Sequence, residues 1–319
     1  MRVALIGYGH VGRAFVRMLH EKRSVFPFRV VGIHTRHGSV VNPAGVKPDT
    51  ELGPAAASVE EFLDRAPSDV VVEATTLNPA TGEPALWHIR AAFRRHRHVI
   101  TANKGPLAHA YAALREEARL AGVEFRFEAT VMDGAPVFNV VRHNLPGIQV
   151  LGFTGVLNST SNIVIEAMRE GRSFEDGVVE ARKMGIAEAD ASYDTDGWDA
   201  AAKTAVLANV LMDAHVTPLE VDRRGIGRLT PQRVRKLADE RKTVCLVSRA
   251  KRTSTGIKLR VRAEVLDETD ILASVHGTSN LILIHTDLMG TIGTVEIDPG
   301  VEQTAYGVFS DLIDIAKSV

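Results

Sequence analysis

Two rhythms of apolar and polar positions divide the chain. Residues 3–6, Val3-Ala4-Leu5-Ile6, form an unbroken apolar run, the pattern of a strand covered on both faces, and Val11, Ala14, Phe15, Met18 and Leu19 then recur at helical spacing. The same alternation repeats: strands over 29–33, 69–76, 98–101 and 123–128, with helical patterns over 81–95 and 107–121 between them. Strands that alternate with helices in this way predict βαβ units and a parallel sheet. Beyond Gly147 the rhythm changes. A strand over 147–158 is followed by helices over 162–171 and 174–184, an apolar helix through 204–211 and a polar helix over 231–241. Strands at 243–250, 257–266, 279–286 and 291–297 alternate apolar and polar residues, as in a sheet with one face solvated or turned to another subunit. A last helix, 301–318, gathers Ala305, Val308, Phe309, Leu312, Ile313 and Ala316 on one side.

The fold class that follows is α/β: a parallel-sheet domain of residues 1–133 plus 301–319, and a second, α+β domain of residues 134–300 for substrate and dimerisation. Pro136, Pro146 and neighbouring glycines mark the crossing between them. The length of 319 residues fits two domains at ~100–200 residues each, and 45% hydrophobic with 24% charged residues is ordinary for a soluble globular chain. A net charge of −1 argues against nucleic acid or a membrane surface as partner. The one basic run, Arg94-Arg95-His96-Arg97-His98, falls where a helix ends, and the helix dipole suffices to explain it. No apolar run approaches the ~20 residues of a membrane span, the N-terminus carries no signal-like segment, and Cys245 has no partner for a disulfide. Its neighbours Val244 and Leu246 make it a buried, inert thiol. The expectation is a cytoplasmic protein.

Candidate chemistry begins at Gly7-Tyr8-Gly9-His10-Val11-Gly12, directly after the first strand and at the start of a helix. This order sets a pyrophosphate on a helix N-terminus. Gly7 permits the turn, Gly9 the close approach of backbone to phosphate, Gly12 the contact of helix with sheet, and His10 and Val11 form the first turn around the ligand. The competing reading is a tight strand–helix turn with no ligand. After the second strand comes His34-Thr35-Arg36-His37, with no acid to bind the ribose hydroxyls of NAD. Arg36 suits the 2′-phosphate of NADP, so NADP is favoured over NAD; the plainer alternative is a solvated surface arginine. Thr75, with Thr76, and Lys104 fall at the carboxyl ends of the third and fourth strands, the edge where open parallel sheets bind ligands. The first domain is therefore Rossmann-like.

The second centre of chemistry is Gly185-Ile186-Ala187-Glu188-Ala189-Asp190-Ala191-Ser192-Tyr193-Asp194-Thr195-Asp196-Gly197-Trp198-Asp199-Ala200-Ala201-Ala202-Lys203. Five carboxylates converge on a short irregular segment that runs into an apolar helix, and Asp199 and Lys203 share a helix face at i,i+4. Burial lowers a lysine's pKa and a nearby carboxylate raises it, so such a pair can be poised for proton transfer. The bland reading is a capped helix, with Asp196 as N-cap, Asp199 at N3 and a surface ion pair.

Taken in order, these motifs resemble the homoserine dehydrogenase family. The glycine loop is followed by Thr101-Ala102-Asn103-Lys104-Gly105-Pro106, by Glu128-Ala129-Thr130-Val131 with Gly134-Ala135-Pro136-Val137, by Gly155-Val156-Leu157-Asn158-Ser159-Thr160-Ser161-Asn162, and by the 185–203 stretch. The resemblance implies reversible NAD(P)H-dependent reduction of L-aspartate 4-semialdehyde to L-homoserine, a step of threonine and methionine biosynthesis. Lys203 then serves as proton donor in reduction and base in oxidation. Lys104 binds substrate and polarises its carbonyl, Asp199 orients the hydroxyl and tunes Lys203, Glu188 holds the amino group, and Asp194 and Thr160 lie near substrate. A sodium site built on backbone carbonyls aligns with Glu128, Val131, Asp133 and Ala135, although Met132-Asp133 replaces the glycines often found there. The family's glycine-rich segment near the end is reduced to Pro299-Gly300-Val301-Glu302. A homodimer through the 257–297 sheet is expected, and feedback by threonine through a C-terminal regulatory domain is not. Two alternatives stand beside this: another NAD(P)-dependent oxidoreductase of a small amino or keto acid, which has no reason to carry 185–203, and a nucleotide-binding regulator without catalysis, which has no reason to keep Lys104, Asp199 and Lys203.

Overall fold

A computed structural model describes residues 1–187 and 190–318. The chain divides into two compact units, Met1–Asn139 with Gly300–Val319, and Val140–Pro299. Unit 1 carries β1 (Arg2–Ile6), α1 (His10–Glu21), β2 (Arg29–Thr35), β3 (Gly38–Val41), α2 (Val59–Arg65), β4 (Val70–Glu73), α3 (Ala85–Phe93), β5 (His98–Thr101), α4 (Lys104–Ala121) and β6 (Phe125–Arg126). Its sheet has the order β3-β2-β1-β4-β5-β6, parallel except for the edge hairpin of β2 with β3. The apolar runs occupy its centre: Val3, Leu5, Val70 and Val71 are fully buried. This is the doubly wound arrangement expected from the alternating strands and helices, with β1 at the point where the strand order reverses.

Two elements of this unit were not expected. β2 continues to Thr35 and turns back as β3, an edge strand of four residues too short to stand out from a loop. α2 is signalled by Ser58 and Glu61. The Ser58 hydroxyl accepts from the Glu61 amide at 3.2 Å, and the Glu61 carboxylate reaches back to the Ala57 amide at 2.8 Å. The strand expected over 123–128 shrinks to Phe125–Arg126, because Glu128–Thr130 winds into a 3₁₀ turn.

The final helix, α10 (Val301–Ser318), belongs to unit 1. Phe309 meets Phe26 and Phe28 edge-on, and Asp311 accepts from the Glu128 amide at 2.8 Å. The boundary falls after Asn139 rather than after Asp133. The Glu128 carboxylate explains the difference, since it accepts from the amides of Val137, Phe138 and Asn139 at 2.5, 2.8 and 2.7 Å and ties them to unit 1.

Unit 2 opens with a π-helical turn, Val140–Asn144. It then carries β7 (Val150–Val156), α5 (Ser159–Arg169), α6 (Phe174–Lys183), α7 (Ser192–Thr195), α8 (Trp198–Met212), β8 (Asp222–Arg224), α9 (Pro231–Asp239), β9 (Lys242–Thr253), β10 (Gly256–Asp267), β11 (Asn280–Thr286) and β12 (Thr291–Glu296). The sheet order is β12-β11-β7-β9-β10-β8, antiparallel except for β8 on β10. α5 starts at Ser159, earlier than its apolar pattern indicates, because Asn158 caps it. α8 is preceded by Gly197 in the left-handed region (φ 82°), so Asp196 is not its N-cap and Asp199 is its second residue rather than N3. Among the described residues no helix is long and apolar enough to cross a membrane.

Candidate active site

In unit 1 the glycine loop joins β1 to α1. Gly7 adopts φ 97°, and a Cβ there would overlap the Ala74 carbonyl; a Cβ on Gly12 would lie 2.8 Å from the Gly7 oxygen. Gly9 is the N-cap of α1 and has open space where a side chain would stand, so the first amides of α1 are approachable by an anion. A cavity of about 650 Å³ runs past this loop, lined among others by Gly7, Gly9, Arg13, Arg36, Thr75 and His88. Arg36 and Thr75 thus share one cavity with the glycines, whereas His10, Val11 and Gly12 form the first turn of α1 outside its walls. The Arg36 Nε donates to His37 at 2.8 Å, and the Arg13 guanidinium stands 4.5 Å over the Tyr8 ring.

Behind Thr75 sits Glu73, fully buried. Its carboxylate accepts from the Thr75 amide at 3.0 Å, from the Thr75 hydroxyl, and from the Thr101 hydroxyl at 2.8 Å. Asn103 continues the network. Its amide donates to Thr101 Oγ1 at 3.0 Å, its Nδ2 to the Thr75 carbonyl at 3.2 Å, and its Oδ1 accepts from the Gly105 amide at 3.0 Å. Lys104 is the first residue of the helix that Asn103 caps, so the same buried carboxylate fixes the cavity wall at Thr75 and the root of Lys104. Glu73, Arg13 and His88 were not singled out in the sequence; an acid at the end of Val70-Val71-Val72-Glu73 was the available signal for the first of them.

Unit 2 brings together Lys203, Asp199, Asp194 and Thr160. The Lys203 Nζ donates to the Leu157 carbonyl at 2.7 Å and lies 3.3 Å from Asp199 Oδ2, with the two side chains only 15% and 9% exposed. The pair is therefore no surface ion bridge. Asn158, which the sequence reading passed over, donates from Nδ2 to Asp194 Oδ1 at 2.8 Å and to Asp199 Oδ2 at 3.0 Å, and Thr160 donates to Asp194 Oδ2 at 3.1 Å. Burial and the neighbouring Asp199 push the Asp194 carboxyl above the usual carboxylate range, and burial with both carboxylates raises the Tyr193 phenol. The expected convergence of five carboxylates needs correction: Asp190 and Asp196 are exposed, Asp190 accepting from the Ser192 amide at 2.9 Å. Glu188 lies outside the described residues.

At the expected sodium loop, the Glu128 carboxylate is engaged by three amides and Asp133 Oδ1 accepts from Thr304 at 2.8 Å. Among the described residues no cluster of three or more His, Cys, Asp and Glu suits a metal ion. A cation at Glu128, Val131, Asp133 and Ala135 would rest on main-chain carbonyls. Cys245 is buried, and burial pushes its thiol up to about 12, in line with an inert role.

A cavity beside a glycine loop, at the switch point of a doubly wound sheet, is the geometry of a nicotinamide-dinucleotide domain of the oxidoreductase class. The family model described as homoserine dehydrogenase matches residues 136–313, and that described as homoserine dehydrogenase, NAD binding domain, matches residues 7–128. The chain belongs to the homoserine dehydrogenase family. It is 34% identical to the homoserine dehydrogenase of Methanocaldococcus jannaschii, covering 100% of this chain and 99% of that one. It is 33% identical to the NAD(+)-dependent homoserine dehydrogenase of Pseudomonas canavaninivorans, covering 99% and 96%. The crystal structure of a putative homoserine dehydrogenase from Archaeoglobus fulgidus superposes with a TM-score of 0.89 at 29% identity, over 99% of each chain.

Proposed function

We propose that this protein interconverts L-homoserine and L-aspartate 4-semialdehyde with NADP or NAD, as a step of threonine and methionine biosynthesis in the cytoplasm. The observation that carries the chemistry is the Lys203 Nζ held between the Leu157 carbonyl and Asp199. The nicotinamide, when bound, accepts hydride from the hydroxyl-bearing carbon of homoserine in oxidation and returns it in reduction. Lys203 handles the proton: neutral, it takes the hydroxyl proton as oxidation proceeds; protonated, it delivers that proton to the emerging alkoxide in reduction. The Leu157 carbonyl occupies one of the three N–H directions of Nζ, which leaves the others for Asp199 and substrate. Asp199 orients the hydroxyl and holds Lys203 in place, while Asp194, Thr160 and Glu188 receive the amino-acid end. Lys104 binds substrate and polarises its carbonyl.

Arg36 and Arg13 both line the cavity, and β2 ends without an acid, so NADP is the preferred cofactor. Sodium, if held, is held by the backbone of Glu128, Val131, Asp133 and Ala135. A homodimer through the unit 2 sheet is supported by Val295 on its edge strand, 53% exposed, and Ile297 just beyond, 77% exposed.

Homoserine-dependent reduction of NAD and NADP, followed at the nicotinamide absorbance, tests this reading with Lys203→Ala alongside. The expected result is turnover that falls about 10²–10⁴-fold in the variant, the range of general acid–base catalysis, with cofactor affinity retained. Undiminished turnover in Lys203→Ala would remove the lysine from the chemistry. Arg36→Ala should cost kcat/KM with NADP and leave that with NAD little changed; an equal effect on both cofactors would reject the phosphate contact.

A further inference from the structure

We infer that Asn158 is a positioning residue for proton transfer: its side-chain amide bridges Asp194 and Asp199 and thereby holds Asp199 against Lys203. The inference rests on the reading that Lys203 and Asp199 carry the proton. Asn158 is 3% exposed, and its polar groups divide cleanly. Oδ1 accepts from the Ser161 amide at 2.8 Å and so caps α5. Both N–H bonds of Nδ2 go to carboxylates, one to Asp194 and one to Asp199.

The arrangement solves an electrostatic problem. Two carboxylates brought together out of water repel each other, and a neutral donor between them offsets that repulsion without adding a charge that would compete with Lys203 for Asp199. Asp199 Oδ2, the oxygen nearest Lys203, is the one that Asn158 contacts. The preceding residue completes the device, because the Leu157 carbonyl accepts from Lys203 itself. Two consecutive residues at the end of β7 thus fix both halves of the pair, the lysine by a carbonyl and the carboxylate by an amide. The charged and titratable groups that act on Asp194 and Tyr193 here are Asp199, Asp194 and Lys203.

The dual role of Asn158 makes the inference separable from simple helix capping. Ser and Asp both cap well, so Asn158→Ser and Asn158→Asp keep α5 while removing the bridging amide. In Asn158→Ser one hydroxyl cannot serve both carboxylates. The expected result is a fall in kcat for homoserine oxidation of about 10–100-fold, the weight of a hydrogen bond to a charged group, with cofactor KM close to wild type and a lower melting temperature because the carboxylate repulsion is no longer offset. Asn158→Asp adds a negative charge beside Asp199 and Lys203, which favours the protonated lysine. Oxidation needs the neutral lysine, so the acidic limb of its pH profile moves to higher pH. A cap alone would not shift that limb. Wild-type kcat and an unmoved limb in both variants, with Lys203→Ala inactive, would overturn the inference. Wild-type turnover in Lys203→Ala would instead overturn the proton-carrier reading, and the inference with it.

Discussion

At the scale of residues, the site is a short chain of contacts, Thr160 to Asp194, Asp194 to Asn158, Asn158 to Asp199 and Asp199 to Lys203. Asp194 is the member held against its own preference. Its carboxyl is raised by burial and by Asp199, so the folded state holds that proton more tightly than the unfolded chain. Stability from this group is therefore retained below the ordinary aspartate value of about 4 and is lost as pH rises through the higher folded value. Asp194→Asn should melt higher than wild type at pH 8, by a few degrees for about 1 kcal/mol, with the gain shrinking as pH is lowered toward 4. Its homoserine turnover should fall. Thermal scans across that range check the sign, and a gain that grows toward acid would contradict it. The Lys203–Asp199 pair was legible because i,i+4 spacing is a local relation. Asn158 was not, since it stands 36 and 41 positions from the carboxylates it bridges, and only packing reveals them as neighbours.

At the scale of elements, the strand–turn–helix of β1 and α1 and the apolar stripe of α10 could be read directly, because both rest on periodicity and glycine chemistry. β3 escaped because it is only four residues long. The 3₁₀ turn at Glu128–Thr130 escaped because its cause, Glu128 accepting three amides, lies ahead in the chain at 137–139. The bland alternative of Asp196 as the cap of α8 fails because that turn is made by Gly197 in the left-handed region. α10 depends on close approach: a Cβ on Gly134 would overlap the Gln303 carbonyl, and one on Gly307 would stand 2.9 Å from the Asp133 oxygen. Gly134→Ala should therefore destabilise by about 1–3 kcal/mol in urea unfolding, as overpacking against rigid backbone does. Unchanged stability would mean that α10 is free to shift.

At the scale of the whole molecule, buried titratable groups set the acid limit. Burial lowers His34, helped by His88; burial also lowers His98, and lowers His285 with Arg249 adding to it. On Glu264 burial works upward, but Arg249 and Arg260 outweigh it and the carboxyl is lowered. Each of these groups binds its proton less readily folded than unfolded. The stability they contribute is present above the unfolded values, about 6.5 for histidine and about 4.3 for glutamate, and is lost as pH falls from these through the lower folded values. The melting temperature should thus decline from pH 7 to pH 5, and His34→Gln should flatten that decline; an equal slope in wild type and variant would exclude His34. The two-domain plan and the family were legible at this scale because the motifs occur in order along the chain, whereas cofactor preference rests on a few side chains around one cavity.

The central claim is that hydride passes directly between homoserine and the nicotinamide. Homoserine deuterated at the hydroxyl-bearing carbon, turned over with NADP or NAD, tests it most directly. The account predicts deuterium in the reduced nicotinamide and aspartate 4-semialdehyde as the other product. Reduced cofactor without deuterium, or no turnover by folded protein that binds the nucleotide, would contradict it.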